Sequence, residues 1–263
     1  MVDLHTHILP GIDDGARSWH EALDMARAAA DDGITVMVAT PHWHRGVYEN
    51  GRKRILSMTE KLNELLDRHR IALQVLPGAE LRIHPMIPHG IRSGRLMTLN
   101  DGRRYALLEF PPEVLPQNLN AFFFELQNQG VTPVIAHPER HPEVMRRPEH
   151  LTDWIRCGVI LQITAQGLLG GMGKDIQRFT IHMLENRLAH VIASDTHGLK
   201  NRPPKLLEAF RFASEIVGEE AARELVLDIP GRLVKGEPYE PPAPPLQQRK
   251  PPLWRRLLRG RSR

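Results

Sequence analysis

The chain has 263 residues, 41% of them hydrophobic, enough to core one large domain or two small ones. Its formal net charge is +4, but residues 249–263 hold seven Lys/Arg and no acid, so the body carries about −3 and lacks the basic surplus of a nucleic-acid binder. A single cysteine excludes a disulfide framework, no charged and apolar leader precedes the first motif, and no apolar run is long enough to span a bilayer, so a cytoplasmic protein is expected.

A short apolar start leads into His5 and His7. Side chains two apart on a strand share a face, so this pair forms half of a metal site at a strand end. Taken alone it reads equally well as two surface histidines. Asp14, on a Gly-bounded turn, offers an oxygen. Ser18 and Glu21 form a capping box that opens a helix, and Gly33 closes it. Ile34–Thr40 is a buried-strand run ending in Pro41-His42-Trp43-His44. A helix over about residues 53–69 is followed by a strand, Ala72–Leu76, and then Pro77-Gly78-Ala79-Glu80. A less regular stretch holds Pro85, Pro88, Gly90 and Gly94. Tyr105–Phe110 is the fourth strand, containing Glu109. A helix from Leu119 ends at Gly130. Thr132–Ala136 is the fifth strand, ending in His137-Pro138-Glu139-Arg140. A helix over Glu149–Cys157, a strand over Val159–Thr164 and a helix over Lys174–Arg187 follow. The seventh strand, His190–Ser194, ends in Asp195-Thr196-His197. Helices over Pro204–Val217 and Glu219–Leu227 finish the body.

This is a βα pattern repeated about seven times, the signature of an α/β fold with a parallel sheet covered by helices. Seven units in roughly 230 residues fit a closed barrel better than an open sheet. Residues 1–236 form the expected barrel domain. Residues 237–252 are a linker, with seven prolines between Pro238 and Pro252. Residues 253–263 are a basic tail in which Leu253, Trp254, Leu257 and Leu258 share one side of a short helix. That pattern suits an anionic membrane surface or an acidic partner, and equally a disordered solubilising tail.

The polar residues choose the strand ends. His5, His7 and Asp14 follow strand one, His42 strand two and Glu80 strand three. Glu109 ends strand four, His137 follows strand five, and Asp195 and His197 follow strand seven. Strand six offers nothing comparable, though Thr164 and Gln166 lie near its end. In a βα barrel these ends converge on one mouth. Five histidines and four carboxylates are too many for one divalent ion and suit two or three. Imidazole and carboxylate without thiolate favour Mn²⁺, Fe²⁺ or Zn²⁺. Clustered ions of this kind hydrolyse phosphate esters, and Arg140 and Arg202 offer guanidinium forks for phosphoryl oxygens. A cysteine phosphatase is excluded, because Cys157 is followed six residues later by Ile163 rather than arginine. His44 and His141, beside such residues, are candidates to line the site. His84 and His89 read as surface histidines.

Asp3-Leu4-His5-Thr6-His7-Ile8-Leu9-Pro10-Gly11-Ile12-Asp13-Asp14-Gly15, Ala39-Thr40-Pro41-His42, Pro77-Gly78-Ala79-Glu80-Leu81, Leu108-Glu109-Phe110, Ala136-His137-Pro138-Glu139-Arg140 and Ala193-Ser194-Asp195-Thr196-His197 resemble the polymerase and histidinol phosphatase (PHP) superfamily. Within it, they resemble the bacterial manganese-dependent protein-tyrosine phosphatases of the CpsB/YwqE type. The resemblance spans roughly residues 1–217. It implies a distorted seven-stranded βα barrel with a trinuclear centre, Mn²⁺ the leading candidate. His5, His7, Glu80 and Asp195 would surround one ion, Glu80, Glu109 and His137 a second, and Asp14, His42 and His197 a third. Arg140 matches the family's phosphate-binding arginine, and Arg202 matches a second one less closely. The implied substrate is the phosphotyrosine tail of a bacterial tyrosine kinase controlling capsule or exopolysaccharide synthesis, attacked by a metal-bridging hydroxide without a phosphoenzyme. Because such kinases are membrane-associated, the tail could tether the enzyme at the inner membrane face. The competing readings are a PHP phosphoesterase acting on a small metabolite such as histidinol phosphate, a PHP nuclease, and a non-catalytic barrel.

Overall fold

A computed structural model describes residues 1–112 and 114–243. The expected basic tail over 253–263 and most of the Pro-rich linker lie outside the described residues.

Strands β1 (Val2–Thr6), β2 (Val36–Ala39), β3 (His42–His44), β4 (Tyr48–Glu49), β5 (Gln74–Pro77), β6 (Glu80–Arg82), β7 (Tyr105–Glu109), β8 (Thr132–Ala136), β9 (Ile160–Thr164) and β10 (Val191–Ala193) alternate with helices. They form a parallel sheet in the order β1-β2-β5 and a second sheet in the order β10-β9-β8-β7-β6-β3-β4, parallel except for the β3–β4 hairpin. The expected α/β class with parallel strands is therefore observed.

Two strands of the first sheet break and continue directly into strands of the second, one at a proline and one at a glycine. β2 breaks before β3 at Thr40-Pro41, where proline has no N–H to donate. β5 breaks before β6 at Gly78-Ala79. A Cβ on Gly78 would lie 2.7 Å from Val38 Cγ1 and 3.2 Å from the Ala39 carbonyl, so only glycine permits this approach. At the other edge, Thr6 bridges Thr196 in parallel, and the Asp195 amide donates to the His5 carbonyl at 2.9 Å.

Both strand faces are apolar. Leu4, Val38, Leu107, Val134, Ile160 and Val191 pack together on one face, while Met37, Leu108, Ile135, Leu161 and Ile192 meet the helices on the other. Each of these fully buried aliphatic side chains contributes about 1.5–3 kcal/mol. The face carrying Leu107 and Ile160 turns polar one step further along each strand, at Glu109 and Gln162.

At two helix N-termini the structure departs from the sequence reading. The Ser18 hydroxyl caps its helix by accepting from the Glu21 amide at 3.2 Å, but Glu21 reaches the Arg17 amide instead of closing the reciprocal half on Ser18. The helix expected from Pro204 starts at Leu207, because the Asp32 carboxylate accepts from the Leu206 and Leu207 amides at 2.6 and 2.9 Å and caps it there.

Candidate metal centre

All nine expected groups converge: His5 and Glu109 lie at the ends of β1 and β7, His42 and Glu80 open β3 and β6, and His7, Asp14, His137, Asp195 and His197 lie on the loops after β1, β8 and β10. One donor atom from each of His7, Asp14, His42 and His197 lies within 4.8 Å of the others, and the same holds for His5/His7/Glu80, His5/His137/Asp195 and His42/Glu80/Glu109. The implied Asp14/His42/His197 set lies within the first of these clusters, and His137 Nε2 lies 2.8 Å from Glu80 Oε1. The compact triple holding both Glu80 and Glu109 contains His42 rather than His137. The His42 ring stands between two clusters, with Nδ1 3.0 Å from Glu80 and 3.4 Å from Glu109 and Nε2 3.4 Å from Asp14.

The backbone is distorted to deliver these groups. The β1–β2 register slips between Asp3 and Thr6, a bulge that re-aims His5. The Asp3 carboxylate holds this bend by accepting from the Ser194 amide at 3.0 Å and the His5 amide at 3.3 Å. His137 and Asp195, one and two residues past β8 and β10, take left-handed conformations with φ of 36° and 52°. Such non-glycine positions cost on the order of 1–3 kcal/mol each and concentrate at functional sites.

Proton positions follow from the partners. His5 Nδ1 donates to Gln162 Oε1 at 2.9 Å, and His7 Nδ1 donates to Asp13 Oδ2 at 2.8 Å. In their neutral forms both rings therefore present a bare Nε2 lone pair, and these two atoms sit 3.2 Å apart. Glu80 Oε2 lies 3.1 and 3.3 Å from them, and Asp195 Oδ1 lies 3.2 and 3.3 Å away. Glu80 Oε2, Asp195 Oδ1, His42 Nδ1 and His197 Nε2 are all buried without a hydrogen-bond partner. Acceptors aimed at a common centre repel one another unless cations or protons stand between them. The donor set thus fits divalent ions that accept nitrogen and oxygen ligands.

The electrostatics agree. Burial alone would depress the pKa of His5, yet facing Glu80 and Asp195 outweigh it and raise the net value. Burial is likewise overcome at His7, by Asp13, and at His42, by Glu80 and Asp14, so both are raised. Burial would push Asp195 up, but His5 and Arg140 hold it well below the usual carboxylate range. Asp14 is held far down by His197 and His42.

Both arginines reach this centre. Arg140 Nη1 lies 2.6 Å and Arg202 Nη1 3.0 Å from Asp195 Oδ2. Arg140 Nε and Nη2 are buried without partners, so two donors of the fork stay free.

Residues 1–235 match the family model described as capsular polysaccharide synthesis, CpsB/CapC. The chain belongs to the CpsB/CapC family. It is 36% identical over 250 residues to the tyrosine-protein phosphatase YwqE of Bacillus subtilis, covering 95% of this chain and 98% of that protein. It is 37% identical over 210 residues to the putative tyrosine-protein phosphatase CapC of Staphylococcus aureus, covering 80% and 82%. Among solved structures, it matches one from a study of YwqE from Bacillus subtilis and CpsB from Streptococcus pneumoniae, described as metal-dependent tyrosine phosphatases. The TM-score is 0.89 at 36% identity, covering 93% of this chain and 98% of that one.

Several residues that shape this CpsB/CapC site escaped the sequence reading. Asp13 holds His7 and also accepts from the His42 amide at 3.1 Å and the Gly15 amide at 3.0 Å. Strand six does contribute, through Gln162 on His5; a lone amide within Ile160-Leu161-Gln162-Ile163 was its signal. Arg82 donates to Glu109 Oε1 at 2.9 Å and contacts His44 Nδ1 at 3.0 Å, so His44 supports the site from behind. Asn50 donates to the carbonyls of Ile12 and His42 at 2.8 and 2.9 Å and pins the first loop to β3. His141 is fixed by Pro111 and the Glu143 amide.

Proposed function

We propose that this member of the CpsB/CapC family is a metal-dependent protein-tyrosine phosphatase that hydrolyses phosphotyrosine, with the tyrosine-rich tail of a capsule- or exopolysaccharide-controlling kinase as substrate. The observation that carries the reading is the cluster of unpartnered buried donors around Glu80 and Asp195, with two free N–H groups of Arg140 beside it. His5, His7, Asp14, His42, Glu80, Glu109, His137, Asp195 and His197 would hold two or three divalent ions, Mn²⁺ first among them. Glu80 would stand at the middle of this donor set, since its Oε2 lies 3.0–3.3 Å from nitrogens of His5, His7 and His42. Bound there, such ions lower the pKa of water and neutralise phosphoryl oxygens. Arg140 binds the phosphoryl group through its free Nε and Nη2 donors, and Arg202 helps from the loop after β10. Asp13 and Gln162 keep the lone pairs of His7 and His5 turned inward.

The scaffold of this reading is a distorted seven-stranded barrel. β2/β3 and β5/β6 count as two bent strands, and the Thr6–Thr196 bridge joins first to last. A cytoplasmic location fits, as no helix among the described residues is long and apolar enough to cross a membrane. For the tail the basis is its sequence pattern. Deleting residues 249–263 should abolish binding to anionic liposomes and spare turnover of a small aryl phosphate. Equal liposome binding by the truncated chain discards the tether.

The test of function is a screen with Mn²⁺, with and without chelator, comparing phosphotyrosine peptide, histidinol phosphate and single-stranded DNA. Chelator-sensitive release of phosphate from the peptide is expected. Preference for histidinol phosphate overturns the reading.

A further inference from the structure

Beside the metal centre lies a small half-open cleft of about 160 Å³, bounded by Arg82, Glu109, Phe110, Pro112, His137 and Arg140. We propose that this cleft seats the aromatic ring of the substrate, so that Phe110 makes the enzyme select aryl over alkyl phosphate esters. The proposal rests on the phosphatase reading above and deepens it.

Size is the first argument. A cavity of about 150 Å³ is enough to bind one benzene ring. The second is which groups line the cleft. Glu109, His137 and Arg140 belong also to the metal centre, and Arg140 has Nε and Nη2 unpartnered. Pro112 is exposed. A phosphoryl group held at the metal centre by Arg140 therefore leaves the ring in the cleft against Phe110 and lets the peptide depart past Pro112. The third is rigidity. Phe110 is 6% exposed and packs edge-on to His141 at 5.7 Å and tilted on Trp154 at 5.1 Å. Arg82 is fixed by Glu109 and His44, so a cation flanks the ring without having to be ordered on binding.

The leaving-group chemistry points the same way. The histidines that line the cleft are engaged, His137 Nε2 with Glu80 at 2.8 Å and His141 Nε2 with the Pro111 carbonyl at 3.2 Å. In hydrolysis, water oxygen bonds to phosphorus, the P–O(aryl) bond breaks, and its electron pair departs on the phenolate, which takes a proton from solvent. Tyrosine's phenol ionises near pH 10, so it can leave as the anion beside guanidinium groups, whereas an alkoxide needs a proton delivered.

The test uses the full Mn²⁺-loaded chain and two non-hydrolysable inhibitors, phenylphosphonate and methylphosphonate. Wild type should bind phenylphosphonate about tenfold more tightly. Phe110→Leu, which keeps the apolar volume, should reduce that preference, and the ratio of kcat/KM for phenyl over methyl phosphate, by about three- to tenfold. Pro112→Ala at the exposed rim gives a second reading with little risk to folding, and should lower the same ratio. Equal wild-type affinity for the two phosphonates, or a preference surviving both substitutions, overturns the cleft assignment. Failure to turn over either phosphate ester with Mn²⁺ would instead bring down the phosphatase reading.

Discussion

Asp13 holds three donors with one carboxylate, and the direction of His7 depends on it. Its bond to Nδ1 keeps the His7 Nε2 lone pair facing Glu80 and Asp195. Outer partners of this kind typically change metal affinity by about 10–100-fold when removed. Asp13→Asn should weaken Mn²⁺ binding by that range in titration calorimetry while the circular dichroism spectrum stays unchanged; undiminished affinity would contradict the orienting role. Arg140 poses a different question. Its Nη1 is spent on Asp195, and its value to a phosphoryl group lies in Nε and Nη2. Arg140→Lys keeps one positive charge but loses the planar fork. It should lower kcat about a hundredfold, the scale for losing one transition-state donor. Metal content by elemental analysis should stay at the wild-type value, and loss of bound metal would show that Arg140 supports the ligands rather than the substrate.

At the scale of elements, the loop between β1 and the first helix carries the most tightly constrained contact. A Cβ on Gly15 would fall 2.0 Å from the His7 carbonyl oxygen and 2.5 Å from His7 Cβ. The Gly15 amide also binds Asp13, so this turn sets His7, Asp13 and Asp14 together. Gly15→Ala must displace backbone, and such overpacking costs about 1–3 kcal/mol. A thermal melt should show a drop of several degrees, with Mn²⁺ no longer raising the midpoint; normal stabilisation by Mn²⁺ would show that the loop adapts. The same loop shows what the sequence could and could not tell. Strands β2, β5, β7, β8, β9 and β10 were legible because each is an apolar run bounded by Gly, Pro or a polar cluster, and ligand candidates fell at their ends. The bulge after Asp3 was not legible, since slipping by one residue leaves the composition of β1 unchanged. Nor were the breaks at Pro41 and Gly78 readable as passages between sheets, because they depend on which strand lies alongside. The helix Ile87–Arg92 was read as irregular on account of Pro88 and Gly90, yet proline in a first helical turn removes no hydrogen bond. Gln162, Arg82 and Asn50 act on residues 157, 27 and 8 positions away, and pairings of that kind follow from the fold alone.

For the whole molecule, the centre couples stability to both pH and metal. In the metal-free protein, His5, His7 and His42 have raised folded-state pKa values, so their contribution is fully present below the unfolded value of about 6.5 and is lost as pH rises through the folded values. Asp13, Asp14, Glu80 and Asp195 are depressed, so theirs is present above the unfolded carboxylate value of about 4 and is lost as pH falls through the folded values. Both sets contribute together between about pH 4.5 and 6.5; burial raises the pKa of Asp3 to about 6 and lowers that of His190 to about 4, which oppose them at the upper and lower ends of that window, so the chelated protein should melt at its highest temperature inside it. Metal ions need neutral imidazole, so binding expels those same protons and strengthens as pH rises. Mn²⁺ at a thousandfold excess over its dissociation constant adds about 4 kcal/mol. The gap between Mn²⁺-loaded and chelated melting temperatures should therefore widen steadily from pH 6 to pH 8. A gap that is constant over this range, or that narrows, would mean that the histidines facing Glu80 and Asp195 do not exchange protons for metal.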